Sequence, residues 1–270
     1  MAGVTAKRRL VHIDNGSRET RFDMLAAEEP LEIRVGGEAL TVTMRTPGND
    51  FELAAGFVIT EGLVDSAGQI RTLRYCVDDD EEQRFNVLNV DLAPTAPGAA
   101  VARNFLTTSS CGLCGKASID TVRARAAFDV GHDDLAVSAA VLTSLPDRLR
   151  AAQRVFDTTG GLHAAGLFDA SGELVCLRED VGRHNAFDKV MGWAALEGRL
   201  PLRSHVILAS GRASFELTQK ALMAGIPMLA SVSAPSTLAV QLAEQAGMTL
   251  VGFVRGQTMN VYTGEHRVST

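Results

Sequence analysis

Two cysteines, Cys111 and Cys114, stand in the segment SSCGLCGK with a glycine after each. A C-x-x-C pair can hold half of a zinc site, cycle as a dithiol, or carry a group on sulfur. Structural zinc asks for four tetrahedral ligands. The remaining cysteines, Cys76 and Cys176, lie singly in apolar runs, where a buried structural thiol is the default. No metal site is therefore expected within the chain, and a zinc shared between two subunits stays open. A thioredoxin-type pair would follow a strand and open a helix. Here the polar RNFLTTSS precedes the pair, and the flanking glycines suit a mobile loop. An exposed thiol near a cation such as Lys116 is suited to nucleophilic exchange, because the thiolate is the reacting form.

Three further segments collect polar groups where ligands bind. Within residues 178–189, REDVGRHNAFDK, the side chains of Asp180, Arg183, His184, Asn185 and Lys189 stand where a strand meets a helix. A helix N-terminus favours anions there, and a capped helix with a solvated first turn would explain the same pattern. In ASGRASFE, Gly211 permits close backbone approach, Arg212 offers a bidentate fork and Ser214 can cap a helix. SVSAPST repeats the pattern of hydroxyls before a helix. In GFVRGQTMNVY, Phe253 offers a stacking face while Arg255, Gln257 and Asn260 offer polar contacts; an exposed terminal turn reads equally well. None of these is a Walker or Rossmann fingerprint.

The elements that must hold these groups follow from periodicity. Residues 31–45 alternate around Gly36 and Gly37 as a β-hairpin. A helix over 51–62, capped by Asn49 or Asp50, turns Phe51, Ala54, Phe57 and Val58 inward. Strands at 70–77 and 84–92 flank an acidic turn, read as a solvated tip. A Pro/Ala/Gly connector follows, then helices over 117–127 and 144–156. The latter has Pro146 in its first turn and Leu145, Leu149, Ala152 and Phe156 inward. Beyond residue 160 come a hairpin, a helix with Phe187, Val190 and Met191 on its core face, and strands alternating with helices. That alternation implies βαβ units and a largely parallel sheet covered on both faces.

The chain of 270 residues is an ordinary globular one, with 46% hydrophobic and 21% charged residues. Its net charge of -6 leaves no electrostatic footprint for nucleic acid. No stretch approaches the roughly 20 apolar residues of a membrane span. The basic start lacks an apolar h-region, so it reads as a mobile tail and not as a signal peptide. Two lone cysteines make no disulfide framework, and the reducing cytoplasm is the expected compartment. The fold class is α/β: a small N-terminal α+β domain over 1–106, a mobile CxxC loop and connector over 107–137, and a larger α/β domain over 138–270.

Taken together, SSCGLCGK, GGLHAAG, EDVGRHNAFDK, SGRASFE and GFVRGQTMNVY resemble the FdhD family, the formate dehydrogenase accessory sulfurtransferases or sulfur carrier proteins. The resemblance implies a cytidine-deaminase-like three-layer C-terminal domain with a mostly parallel sheet, and a cytoplasmic homodimer. It implies that sulfur arrives as a persulfide from a cysteine desulfurase. The sulfur then passes to the molybdenum bis(molybdopterin guanine dinucleotide) cofactor destined for formate dehydrogenase, and a guanine nucleotide would mimic part of that substrate. The family's persulfide cysteine falls on Cys111, with Cys114 its partner. Its cofactor-binding segment falls on Phe253, Val254, Arg255, Gly256, Gln257 and Thr258, and Arg212 and His184 are further candidate contacts. A non-catalytic chaperone for the cofactor and a dithiol oxidoreductase are the rival readings. Deamination is disfavoured: it wants H-x-E followed by P-C-x-x-C, whereas His163-Ala164-Ala165 has alanine in the glutamate position and Ser110 precedes the cysteine pair. His163 is then a strand residue, either hydrogen-bonded in the core or lining a ligand pocket.

Overall fold

Residues expected to form a mobile tail instead make a long antiparallel ribbon, β1 (Thr5–Asp14) and β2 (Ser17–Ala26). Asn15 and Gly16 turn the chain with φ of 48° and 85°. Two left-handed residues in succession are what a tight hairpin needs, and Asn-Gly is their commonest carrier. The computed structural model describes residues 3–76, 85–99 and 126–270. Cys111, Cys114, the acidic turn at 78–83 and most of the helix expected over 117–127 lie outside the described residues.

The next hairpin follows the sequence pattern. Strands β3 (Glu29–Val35) and β4 (Glu38–Arg45) are joined at Gly36 and Gly37, both at positive φ. With β5 (Ile70–Tyr75) and β6 (Val87–Leu92) they form a sheet of order β4-β3-β6-β5, in which only β3–β6 is parallel. Helix α1 (Asp50–Thr60) covers it, packing Leu53, Ala54, Val58 and Ile59 among Leu31, Ile33 and Val90. Phe51, expected inward, is exposed and leans on the Tyr75 ring at 5.1 Å. The expected cap does not form: Asn49 sits at the N-cap in a left-handed conformation, and its side chain makes no cap bond. The Asp50 carboxylate accepts instead from the buried Arg45 guanidinium and from the Tyr75 hydroxyl, both at 3.0 Å.

The C-terminal half is built in three layers. Its sheet has the order β13-β12-β11-β10-β8-β9, with β8 (His163–Asp169), β9 (Leu174–Asp180), β10 (His205–Ala209), β11 (Met228–Ser231), β12 (Thr249–Arg255) and β13 (Thr258–Thr263). Only the central run β10–β11–β12 is parallel. The mostly parallel expectation fails at both edges, where β8–β9 and β12–β13 are hairpins whose short turns force antiparallel pairing. One face carries α4 (Arg183–Leu196), α5 (Phe215–Met223) and α6 (Thr237–Ala246), with Phe187, Val190, Leu217 and Leu242 against Leu167, Ile207 and Leu229. The other face carries α2 (Ala139–Ala152), whose Leu142, Leu145 and Leu149 lie on Phe168, Leu208 and Val251. A short α3 (Arg154–Thr159) follows it. No helix among the described residues is long and apolar enough to cross a membrane.

A two-residue strand, β7 (Val137–Ser138), leads into α2, which starts five residues before the expected position, so Pro146 lies inside it. Ser138 sets that start, its Oγ accepting from Val141 N at 3.2 Å. The interior proline removes one helical donor, and the three buried leucines hold the helix on the sheet in spite of it.

The two halves meet along α1 and α4. A Cβ on Gly56 would collide with the Asp188 carbonyl, and one on Gly192 with the Glu52 carbonyl. Glycine at both places lets the helix backbones touch. Polar bonds surround this contact. Arg178 grips Glu52 in a bidentate pair at 2.5 and 2.7 Å. Lys220 Nζ donates to Asp188 and to Thr60 Oγ1, each at 2.9 Å, and the Thr60 hydroxyl donates to Asp188 at 2.7 Å.

Candidate functional site

At the carboxyl ends of β10 and β11 two strand-to-helix loops run side by side. Ala213 bridges Pro235, and Ser236 N donates to Ala213 O at 2.9 Å. Ser214 caps α5 and Ser236 caps α6, each accepting from a backbone amide of the first turn. The open end of the β8–β9 hairpin sets His163 opposite Asp180 beside these loops. Ser210 Oγ accepts from Ala164 N at 2.8 Å, which leaves its own proton free to donate. Gly211 lies so near that a Cβ there would touch the His163 ring at 3.5 Å.

Between these strand ends and α2 opens a cleft of about 630 Å³, within the range of small-molecule sites. Arg150, Gln153, Phe156, His163, Ser210 and Val232 are among its walls. His163 therefore lines a pocket, and its imidazole ring makes no hydrogen bond among the described residues. Burial lowers its pKa first, and the nearby Arg183 guanidinium lowers it further. A smaller apolar cavity of about 290 Å³ lies elsewhere, between Val64, Phe128 and Leu200.

The REDVGRHNAFDK segment splits into two groups. Asp180, fully buried, accepts from Thr46 N, Gly182 N and Asn185 Nδ2 and pairs with Lys189 Nζ at 2.7 Å. Asn185 also donates to Met44 O at 2.7 Å and accepts from Thr43 at 3.0 Å. These three residues, read from the sequence as ligand contacts, are consumed in fastening β4 and the following turn to α4. Arg183 and His184 are not. Among the described residues, Arg183 Nε and His184 Nε2 are buried without a hydrogen-bond partner. Burial, Arg183 and Lys220 push the His184 pKa down to about 4, so the imidazole is neutral near pH 7. Glu216, 3.9 Å from Nε2, is too far for a hydrogen bond. The first turn of α4 reads His184-Asn185-Ala186, so the H-x-E pattern of a deaminase lacks its glutamate here too.

The remaining sequence candidates are placed as follows. Arg212 is exposed beside Gly211 and forms no ion pair among the described residues. Phe253 is half-buried at φ 53°, its amide donates to Ser233 O at 3.1 Å, and the Arg255 guanidinium stands 5.7 Å from its ring centre. Val254 points into the core under α2 and offers no side chain to a ligand. Arg255, Gly256, Gln257 and Thr258 form the exposed β12–β13 turn. Cys176 is buried, and desolvation pushes its thiol up to about 11, which makes it inert. Cys76 is half-buried.

Sequence reasoning missed the α2–α3 wall. There Arg150 stacks over Phe156 at 4.6 Å and pairs with Asp157 at 2.5 Å, while Glu179 accepts from the amides of Val155 and Phe156. The polar Gln153 between AA and RVF was the one local sign of a break in the helix.

Residues 26–269 match the family model described as the FdhD/NarQ family. The chain is 56% identical to the sulfur carrier protein FdhD of Mycolicibacterium paratuberculosis, covering 98% of this chain and 99% of that one. Its likeness extends to the sulfur carrier protein FdhD of Sulfolobus acidocaldarius, at 41% identity over 97% and 98% of the two chains. A solved chain from Desulfotalea psychrophila, described as a formate dehydrogenase accessory protein, has a TM-score of 0.77. It covers 99% of this chain and 100% of its own at 24% identity, which shows a shared fold.

Proposed function

The chain belongs to the FdhD/NarQ family, and on that premise we propose that it is a sulfur carrier, a sulfurtransferase that activates formate dehydrogenase. The Cys111 thiolate attacks the outer sulfur of a cysteine desulfurase persulfide. The donor's S–S bond breaks, the donor cysteine leaves as thiolate, and Cys111 becomes Cys111–S–SH. The segment bearing Cys111 acts as the carrying arm, with Cys114 as partner to Cys111. The loop expected over 107–137 is too long for that arm, since Val130, Leu135 and Val137 are buried in the core and Arg267 binds the carbonyls of Val130, Gly131 and Asp133. The outer sulfur is the atom destined for the molybdenum bis(molybdopterin guanine dinucleotide) cofactor, the substrate. The dinucleotide docks at the strand-end loops of a deaminase-like C-terminal unit, against the 253–258 segment, with Arg212, Arg255 and His184 as its polar contacts. The protein works as a cytoplasmic homodimer.

The observation that carries this reading is the full-length likeness to sulfur carriers in a chain that keeps SSCGLCGK. The strand-end cleft supports it, because ligands of open α/β sheets bind beyond the carboxyl ends of the strands. The test is activation of the client dehydrogenase by the Cys111→Ala variant. Activation should fall at least 100-fold while guanosine diphosphate binding persists. Full activation by the variant would sink the carrier role and favour a chaperone that only holds the cofactor.

A further inference from the structure

The β1–β2 ribbon joins no other sheet among the described residues, and its two faces differ in chemistry. Directly paired residues share a face, and successive residues alternate between faces. On one face the charges are answered: Arg8 stands opposite Asp23, His12 opposite Glu19, and Arg21 pairs with Glu19. The other face sets Arg9 opposite Phe22 and Ile13 opposite Arg18, with Lys7 and Val11 alongside, and holds no carboxylate. Val11, Ile13 and Phe22 are each more than half exposed there. Lys7 Nζ lies 4.7 Å over the Phe22 ring, and Lys7, Arg9 and Arg18 form no ion pair among the described residues. An isolated two-stranded ribbon is marginally stable in water, and an apolar patch rimmed by charge marks an interaction surface.

We infer that this face docks the client dehydrogenase, through a patch of that protein that is apolar at its centre and ringed by carboxylates. The inference rests on the proposed function and adds the surface that the client meets. Charge sets the chemistry of the partner, because three unanswered cations around an apolar stripe are complemented by carboxylates around another. Size argues for a transient partner and against a second copy of this chain. Each strand has 10 residues, so the face is about 33 Å long and roughly 10 Å wide. That footprint of roughly 330 Å² falls well short of the about 800 Å² per partner of a stable interface. Position argues for the client. Ala26 lies at the base of this face, where a Cβ on Gly161 would touch it at 3.8 Å, and Gly161 lines the strand-end cleft. A protein seated on the ribbon therefore stands at the mouth of the cleft from which, on the proposed function, it collects its cofactor.

Biolayer interferometry of the full chain against the formate dehydrogenase of the same cell, purified without its cofactor, tests this. Arg9→Glu should weaken binding at least about tenfold, and raising salt from about 50 to 300 mM should weaken the natural protein in the same direction. Arg8→Glu makes the same charge change on the opposite face and should stay within about threefold. Thermal melting checks folding, and Val11→Ser should show the same loss if Arg9→Glu does not fold. Persulfide loading by the desulfurase, read by intact mass, and the mass in solution, read by light scattering, should be the same in Arg9→Glu as in the natural protein. Undiminished dehydrogenase binding by the folded variant would overturn the docking role, as would equal losses at Arg8 and Arg9. A loss of loading would assign the face to the sulfur donor, and a fall from dimer to monomer would assign it to a second copy; either overturns the inference. All of these leave the proposed function standing. That function falls with the inference only if the natural chain neither binds nor activates the dehydrogenase.

Discussion

Along the seam between α1 and α4, Lys189, Lys220, Asp180 and Asp188 are all at least nine-tenths buried, and each meets an opposite charge and further hydrogen-bonding groups. At the first turn of α4, on the same helix, Arg183 Nε and His184 Nε2 have no hydrogen-bond partner among the described residues. Both regions draw on one stretch, REDVGRHNAFDK. Polar residue type alone does not mark a binding residue. What separates Lys189 from Arg183 is whether the fold supplies the partner, and it supplies one wherever the N-terminal sheet reaches the helix.

If the seam is structural and the cleft functional, substitutions should divide the same way. The largest effect is expected at Gly192. Its Cβ position is occupied by the Glu52 backbone, which cannot swing aside as a side chain would. Gly192→Leu should cost about 4 kcal/mol or abolish soluble folding, read by urea denaturation. A variant within about 1 kcal/mol of the natural protein would show that the helices can part freely. Next is Lys189→Met, which strands the buried Asp180 carboxylate. About 3–5 kcal/mol should be lost, and a loss below 1 kcal/mol would mean that Asp180 has other means of neutralisation.

A smaller effect appears with pH. His184 stays neutral in the folded chain down to about pH 4, whereas in the unfolded chain it takes a proton near its ordinary value of 6.5. Between those values the unfolded state binds the extra proton, so stability falls as pH drops through that window and levels off below it. His163 acts in the same direction. The His184 imidazole is partly exposed, so after solvent screening its share is about 1–2 kcal/mol. Urea midpoints at pH 7 and 4.5 should differ less in His184→Gln than in the natural protein; equal differences would contradict the assignment. The smallest change is expected from Arg212→Ser on the cleft side. It should move stability by less than about 0.5 kcal/mol and yet weaken guanosine diphosphate binding several-fold. The reverse pattern would move Arg212 to the structural group.

Much of the frame was legible because local signals carried it. Gly36-Gly37 marks the β3–β4 turn, Ser214 and Ser236 mark the starts of α5 and α6, and the apolar spacing of Phe187, Val190 and Met191 marks the buried face of α4. Asn15-Gly16 was an equally local signal, hidden by the charged residues around it. The start of α2 went astray because Pro146 suggested a first turn, while the Ser138 cap and three leucines outweighed that preference. The seam was not legible at all. Lys220 meets Thr60 from 160 positions away, and Thr46 meets Asp180 from 134. No periodicity reports such pairs, so Asp180, Asn185 and Lys189 looked in the sequence like Arg183 and His184.

The central claim is that Cys111 carries sulfur, and the mass of the intact chain tests it most directly. After incubation with a cysteine desulfurase and cysteine, the natural protein should gain one sulfur atom, and Cys111→Ala should gain none. A loss of two hydrogens in place of that gain, or an undiminished gain in the variant, would contradict it.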